Sequence, residues 1–185
     1  MTAYLFNVMI IWIFIYIIGV YSAGTSGRSG PYKSTLITAR RCVKTKVPYE
    51  KERTAIANLE LYNTSTAVNL MRGNFTVFKE TKHLKGTAKH YQWVNKKWTP
   101  SLVLRQDGCG GIFVTILVSA IGVKYDSKNC VVSVGNYFFK DLDSNKVAHM
   151  WLPTKEYGRA LWKVEAFSTD GLVDCWDFTE IVEPI

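Results

Sequence analysis

The residues able to do bond-making chemistry are few and dispersed. His83, His90 and His149 fall into no ligand or triad arrangement. Ser26 is followed by Gly27 but lies in the loose stretch Gly24–Gly30, where no base or oxyanion donor is held in place. Neither a Gly-x-Ser-x-Gly elbow nor a phosphate-cradling glycine loop occurs. Asp141 and Asp143 make a turn pair too sparse for a calcium loop. Cys42, Cys109, Cys130 and Cys175 show no Cys-x2-Cys spacing, so zinc has no ligand set. The sequence therefore predicts no catalytic residue, no metal and no cofactor. Carboxylates brought together by folding would be the one route to glycan or lipid hydrolysis.

Three other kinds of chemistry stand out. The first is disulfide formation among the four cysteines, with three pairings open. The second is sugar attachment at two sequons, Asn63-Thr64-Ser65 and Asn74-Phe75-Thr76. The third is binding by apolar surface, since 9 Phe, 10 Tyr and 6 Trp make up 14% of the chain. Candidates to line an apolar cavity or its mouth are Trp93, Trp98, Phe113, Ile116, Leu117, Ile121, Met150, Trp151 and Trp162. Trp98, after Lys96-Lys97, and Trp151, before Leu152-Pro153, sit nearest to loop edges and suit a mouth.

Both the disulfides and the sugars require a secretory route, and the N-terminus offers one. Met1–Ala23 carries no charge, Tyr4–Tyr21 is apolar apart from Asn7 and Gly19, and Val20-Tyr21-Ser22 supplies small residues for cleavage. The same run is about long enough to anchor a chain in a bilayer. The reading adopted is a signal peptide over 1–23, a flexible leader over 24–35 and one domain over 36–185. The product is then extracellular, or lumenal in a lysosome.

The net charge of +8 is uneven: Gly24–Lys97 holds 15 Lys+Arg against 4 acids, and the remainder 8 against 11. Such a basic side suits an anionic membrane surface, with Lys96 and Lys97 placed to meet a headgroup; the compartment argues against nucleic acid. The elements that must position these groups read as short strands. They are Ala55–Tyr62, Thr66–Met71, Phe75–Phe78, Gly86–Val94, Trp98–Leu104, Val131–Phe139, Lys146–Trp151, Arg159–Phe167 and Leu172–Val182. Breaks fall at Arg72-Gly73-Asn74, Asp107-Gly108, Asp143-Ser144-Asn145 and Thr169-Asp170-Gly171. Gly110–Val123 is nearly continuous apolar sequence and fits a strand or an amphipathic helix. Short strands without helices between them predict an all-β antiparallel sandwich or barrel.

The segment Cys130-Val-Val-Ser-Val-Gly135-Asn136-Tyr137 is followed by Leu152-Pro153, Tyr157-Gly158-Arg159 and Cys175 in a last strand. With Gly73-Asn74-Phe75-Thr76-Val77 upstream, this ordered set resembles the ML lipid-recognition family, in particular its ganglioside-activator-like branch and related insect secreted domains. Val131 stands where the family has proline, Tyr157-Gly158-Arg159 permutes its Gly-Tyr-Arg, and four cysteines are fewer than the activators carry. The resemblance spans roughly Cys42 to the C-terminus. It implies an immunoglobulin-like β-sandwich splayed around an apolar cavity, the pairs Cys42–Cys175 and Cys109–Cys130, and a short helix near 112–122.

The function this implies is non-enzymatic: a secreted protein that extracts, carries or presents a lipid or glycolipid, with a hydrolase or receptor as partner. The alternative is a secreted interaction protein, such as a receptor ligand, using the same sandwich without lipid.

Overall fold

The computed structural model describes residues 28–64, 70–80, 84–106, 115, 118–129, 131–150 and 152–185. Its strands in chain order are β1 (Ser29–Gly30), β2 (Tyr32–Arg41), β3 (Ala55–Tyr62), β4 (Leu70–Val77), β5 (Lys85–Val94) and β6 (Lys97–Gln106). They continue with β7 (Tyr125–Asp126), β8 (Val131–Val132), β9 (Gly135–Asp143), β10 (Lys155–Glu156), β11 (Gly158–Ser168) and β12 (Gly171–Pro184). One short helix, α1 (Ser144–His149), lies between β9 and β10. Residues 115 and 118–120 are also helical, within the segment whose sequence left strand and helix open.

A five-stranded antiparallel sheet, β2-β12-β11-β5-β6, faces a three-stranded one, β3-β4-β9. The fold is therefore an all-β sandwich. The pleat sends alternate side chains to opposite faces. On β11 Trp162, Val164 and Ala166 turn inward, and on β12 Asp174, Trp176, Phe178 and Glu180 do so. The other face of the large sheet carries ion pairs: Lys89 meets Glu165 at 2.5 Å and Lys163 meets Asp177 at 3.8 Å.

Buried apolar residues among those described form separate clusters, not one continuous core. Ala55, Val77, Val123, Val132 and Val173 pack near the start of β12, while Tyr32, Ala160 and Val182 pack near its end. A third cluster joins Leu172 to Cys42 and Cys175, which are disulfide-bonded. This bond ties β12 to the residue after β2, and cross-linking a loop that long stabilises chiefly by restricting the unfolded chain. Cys109 and Cys130 lie outside the described residues, as does the 1–23 segment.

Four readings need correction. Residues 24–35 are not a leader throughout: β1 pairs with β10, and β2 opens at Tyr32, which is completely buried. Residues 72–74 do not break a strand. Gly73 sits inside continuous β4, and a Cβ there would come 2.1 Å from the Asn58 carbonyl oxygen, so glycine permits the close approach of β3. Val131–Phe139 is two strands, parted at Ser133 and Val134. Lys146–Trp151 is not a strand, because Asp143 begins a helix: its carboxylate accepts from the backbone N–H of Asn145 at 2.9 Å and of Lys146 at 3.2 Å. The turn signature at 143–145 is a helix cap.

No helix among the described residues is long and apolar enough to cross a membrane.

Candidate functional site

Between the cluster of Ala55, Val77, Val123, Val132 and Val173 and that of Tyr32, Ala160 and Val182, the sheets stand apart around a cavity of about 300 Å³. The large sheet contributes Leu36, Trp162, Val164, Ala166, Trp176 and Phe178; the small sheet contributes Ala57, Leu59, Met71, Phe75, Phe139 and Leu142. Val147 and Ala148 of α1 and Ile121 complete the apolar lining. The volume lies at the lower end of the range for small-ligand sites. A space so lined has too few polar partners to hold water well.

Charged groups enter this lining from β12 and from β10, each with a partner. Lys155 Nζ donates to both Glu180 carboxylate oxygens, at 2.8 and 2.9 Å, and both side chains are about 95% buried. Ser34 Oγ donates to the same carboxylate at 2.6 Å and Trp162 Nε1 at 2.9 Å. Burial alone would raise the Glu180 pKa. The Lys155 charge and these hydrogen bonds outweigh it and hold the carboxyl below its usual value. The Lys155 ammonium also lies 4.8 Å from the Tyr32 ring centre and 5.8 Å from that of Trp162. Burial first, and then the Glu180 charge, push the Tyr32 hydroxyl up to about 12, so it stays a neutral donor to the Leu152 carbonyl at 2.9 Å.

Asp174 marks the other end. It accepts from Ala57 N–H at 2.8 Å and from Trp176 Nε1 at 3.3 Å, and Arg41 stands 3.6 Å away. Arg41 also donates to the Ala57 carbonyl, so this pair stitches β12 to β3 across the sandwich. At roughly 3.3 Å per residue, Asp174 and Glu180 stand about 20 Å apart along β12. The apolar lining lies between them.

A second, more polar hollow of about 210 Å³ shares Lys155 and Trp162 with the first and is also lined by His90 and Ser101. His90 Nδ1 is 2.5 Å from Ser101 Oγ, and its ring lies 4.5 Å from Trp162. His90 Nε2 is buried without a hydrogen-bond partner. Burial lowers the His90 pKa, which keeps the ring neutral in this setting.

Of the candidate lining residues, the structure brings Trp162 and Ile121 to the cavity. Trp93 and Trp98 are not in its lining; they meet edge to face at 4.9 Å on the β5–β6 hairpin, beneath the Arg159 guanidinium. That hairpin turns at Asn95 and Lys96, both at positive φ, and leaves Lys96 and Lys97 exposed. Met150 is exposed at the end of α1. Phe113, Ile116, Leu117 and Trp151 lie outside the described residues. Asn63 is exposed just after β3, and Asn74 is half-buried on β4.

Sequence reasoning missed Phe75, Phe139, Trp176 and Phe178. The signal available for them is the alternation within β4, β9 and β12, where each takes an inward position. It also missed Lys155 and Glu180, whose pairing depends on the topology alone. No protein-family profile matches the chain, and no curated protein matches it.

Proposed function

We propose that this chain is a secreted, non-enzymatic lipid-binding protein that shelters a hydrocarbon chain between its sheets and so extracts, carries or presents a lipid. The observation that carries the reading is the apolar cavity between two separated core clusters. At roughly 30 Å³ for each small group, such a space takes about ten methylenes. At about 0.8 kcal/mol each, their burial contributes about 8 kcal/mol before the costs of ordering the ligand. The described charges in the lining are committed to Lys155–Glu180 and Arg41–Asp174, so the sheltered part is uncharged hydrocarbon and any headgroup stays outside.

The secretory part of the reading rests on the apolar, uncharged 1–23 segment and is compatible with the buried Cys42–Cys175 bond. A hydrolase or receptor that accepts the lipid is the partner, with the basic side of the molecule turned to the membrane.

The test is to express the full chain in a eukaryotic secretory host and extract the secreted protein for lipid mass spectrometry. The expected result is a stoichiometric lipid in the parent and its loss in Val164→Trp, which fills the cavity while circular dichroism stays that of a β-protein. A parent that carries no lipid and takes up no fluorescent acyl probe overturns the proposal. N-terminal sequencing of the same material is expected to start after Ser22 or Ala23.

A further inference from the structure

The outer face of the small sheet presents a groove of about 420 Å³ whose borders include Asn58, Glu60, Arg72, Asn74, Phe138 and Lys140. Most of these groups are polar and already engaged. Arg72 and Glu60 form a two-bond pair at 2.9 and 3.0 Å, and Asn58 Nδ2 donates to Asn74 Oδ1 at 3.3 Å. Phe138 is the misfit: it stands 77% exposed on β9, an edge strand of this sheet among the described residues. An exposed aromatic on an unpaired edge invites association with other chains. Phe138 is also the direct cross-strand neighbour of Asn74, the acceptor of the sequon Asn74-Phe75-Thr76.

We infer that Asn74 carries an N-linked glycan whose first sugar lies in this groove against the Phe138 ring. The inference rests on the secretory part of the proposed function and is independent of lipid binding. In the modification, Asn74 Nδ2 attacks C1 of a lipid-linked oligosaccharide diphosphate. The N–C bond forms, the C–O bond to the diphosphate breaks with its electron pair, and the amide loses one proton.

The strand geometry accommodates the product. Asn74 Nδ2 donates to Thr76 Oγ1 at 3.2 Å, and Thr76 Oγ1 donates to Asn136 Oδ1 at 2.6 Å. That arrangement uses one of the two amide hydrogens, and attachment of the sugar consumes the other. Cross-strand neighbours on one face lie about 5 Å apart, within reach of a sugar ring linked to Asn74. The apolar face of a pyranose then covers the aromatic ring, and the polar glycan shields the edge strand.

The full chain, Asn63→Gln, Asn74→Gln, Phe138→Ala and the Asn74→Gln/Phe138→Ala double variant are expressed in a eukaryotic secretory host and mapped by peptide mass spectrometry. The expected result is a glycan on Asn74 of the secreted protein. Phe138→Ala is then expected to lower Tm by about 2–4 °C in the glycosylated protein and to have no such effect in the Asn74→Gln background. A secreted protein with Asn74 unmodified overturns the site, whatever the state of Asn63. Equal Tm shifts in both backgrounds overturn the seat on Phe138. A full chain retained in the cytosol without any glycan refutes the secretory reading, and this inference with it.

Discussion

The two walls of the cavity are made differently. The small-sheet wall, with Leu59, Met71, Phe75, Phe139 and Leu142, is wholly apolar at the positions it turns inward. The large-sheet wall sets Asp174 and Glu180 at either end of an aromatic pair on a single strand, each neutralised by a cation from elsewhere in the chain. Under the proposed function, the first wall offers a hydrocarbon chain no polar group to set its position. The second bounds the apolar lining, because beyond Trp176 and Phe178 it meets the Arg41–Asp174 and Lys155–Glu180 pairs. Buried pairs of this kind contribute little net stability and are costly to break singly.

The contrast can be broken most directly at Lys155. Lys155→Ala leaves the Glu180 carboxylate buried without its counter-charge and is expected to cost about 3–5 kcal/mol in urea denaturation. Lys155→Met combined with Glu180→Leu removes both charges at similar volume and is expected to recover most of that loss. If the double variant is no more stable than the single, the pair is not a closed neutral unit. On the opposite wall Leu59→Ala removes only apolar contact beside existing space. It is expected to cost about 2–3 kcal/mol, the low end for such truncations, and to increase acyl-probe capacity.

A smaller effect separates the walls by pH. His90 and Glu180 belong to the large sheet, and both have pKa values held below their usual 6.5 and 4.5. A group with a depressed pKa in the fold binds protons more readily when unfolded, so stability falls as pH drops below the usual value. Thermal melts are expected to weaken in two windows. The first opens below 6.5 for His90; the second opens below 4.5 for Glu180 and for Glu50, whose carboxyl is lowered by Ser168 and Thr54 hydrogen bonds that outweigh its burial. His90→Gln should abolish the first window and leave the second. The smallest change belongs to the exposed Arg72–Glu60 pair, where Arg72→Ala should leave the denaturation midpoint unchanged, since solvent screens such pairs.

Much of the sandwich is legible in the residues. Ala55–Tyr62 reads as a strand with the bounds that β3 has, and β5, β6, β11 and β12 differ from their sequence readings only at their ends. β2 was hidden for a physical reason. Its inward position Ser34 is polar because it serves Glu180, so the binary pattern that reveals a strand is blurred where the strand meets the site. Helix α1 was hidden because Asp143-Ser144-Asn145 has the composition of a turn. Only the fold shows that Asn145 then holds β2, accepting from Ser34 N–H at 2.8 Å and donating to its carbonyl at 2.7 Å. Trp93 and Trp98 drew attention by type and loop position, yet the hairpin that joins them seats them under Arg159 and away from the cavity.

What the sequence by itself determined is the all-β class, because alternation and turn residues act locally and leave their marks within a few positions. The tertiary structure alone decided which alternating face borders open space and which charges point into it. In the sequence nothing links Lys155 to Glu180. They turn inward together because β10 and β12 bring an ammonium and a carboxylate within 2.8 Å, close enough for each to replace the water that the other lost.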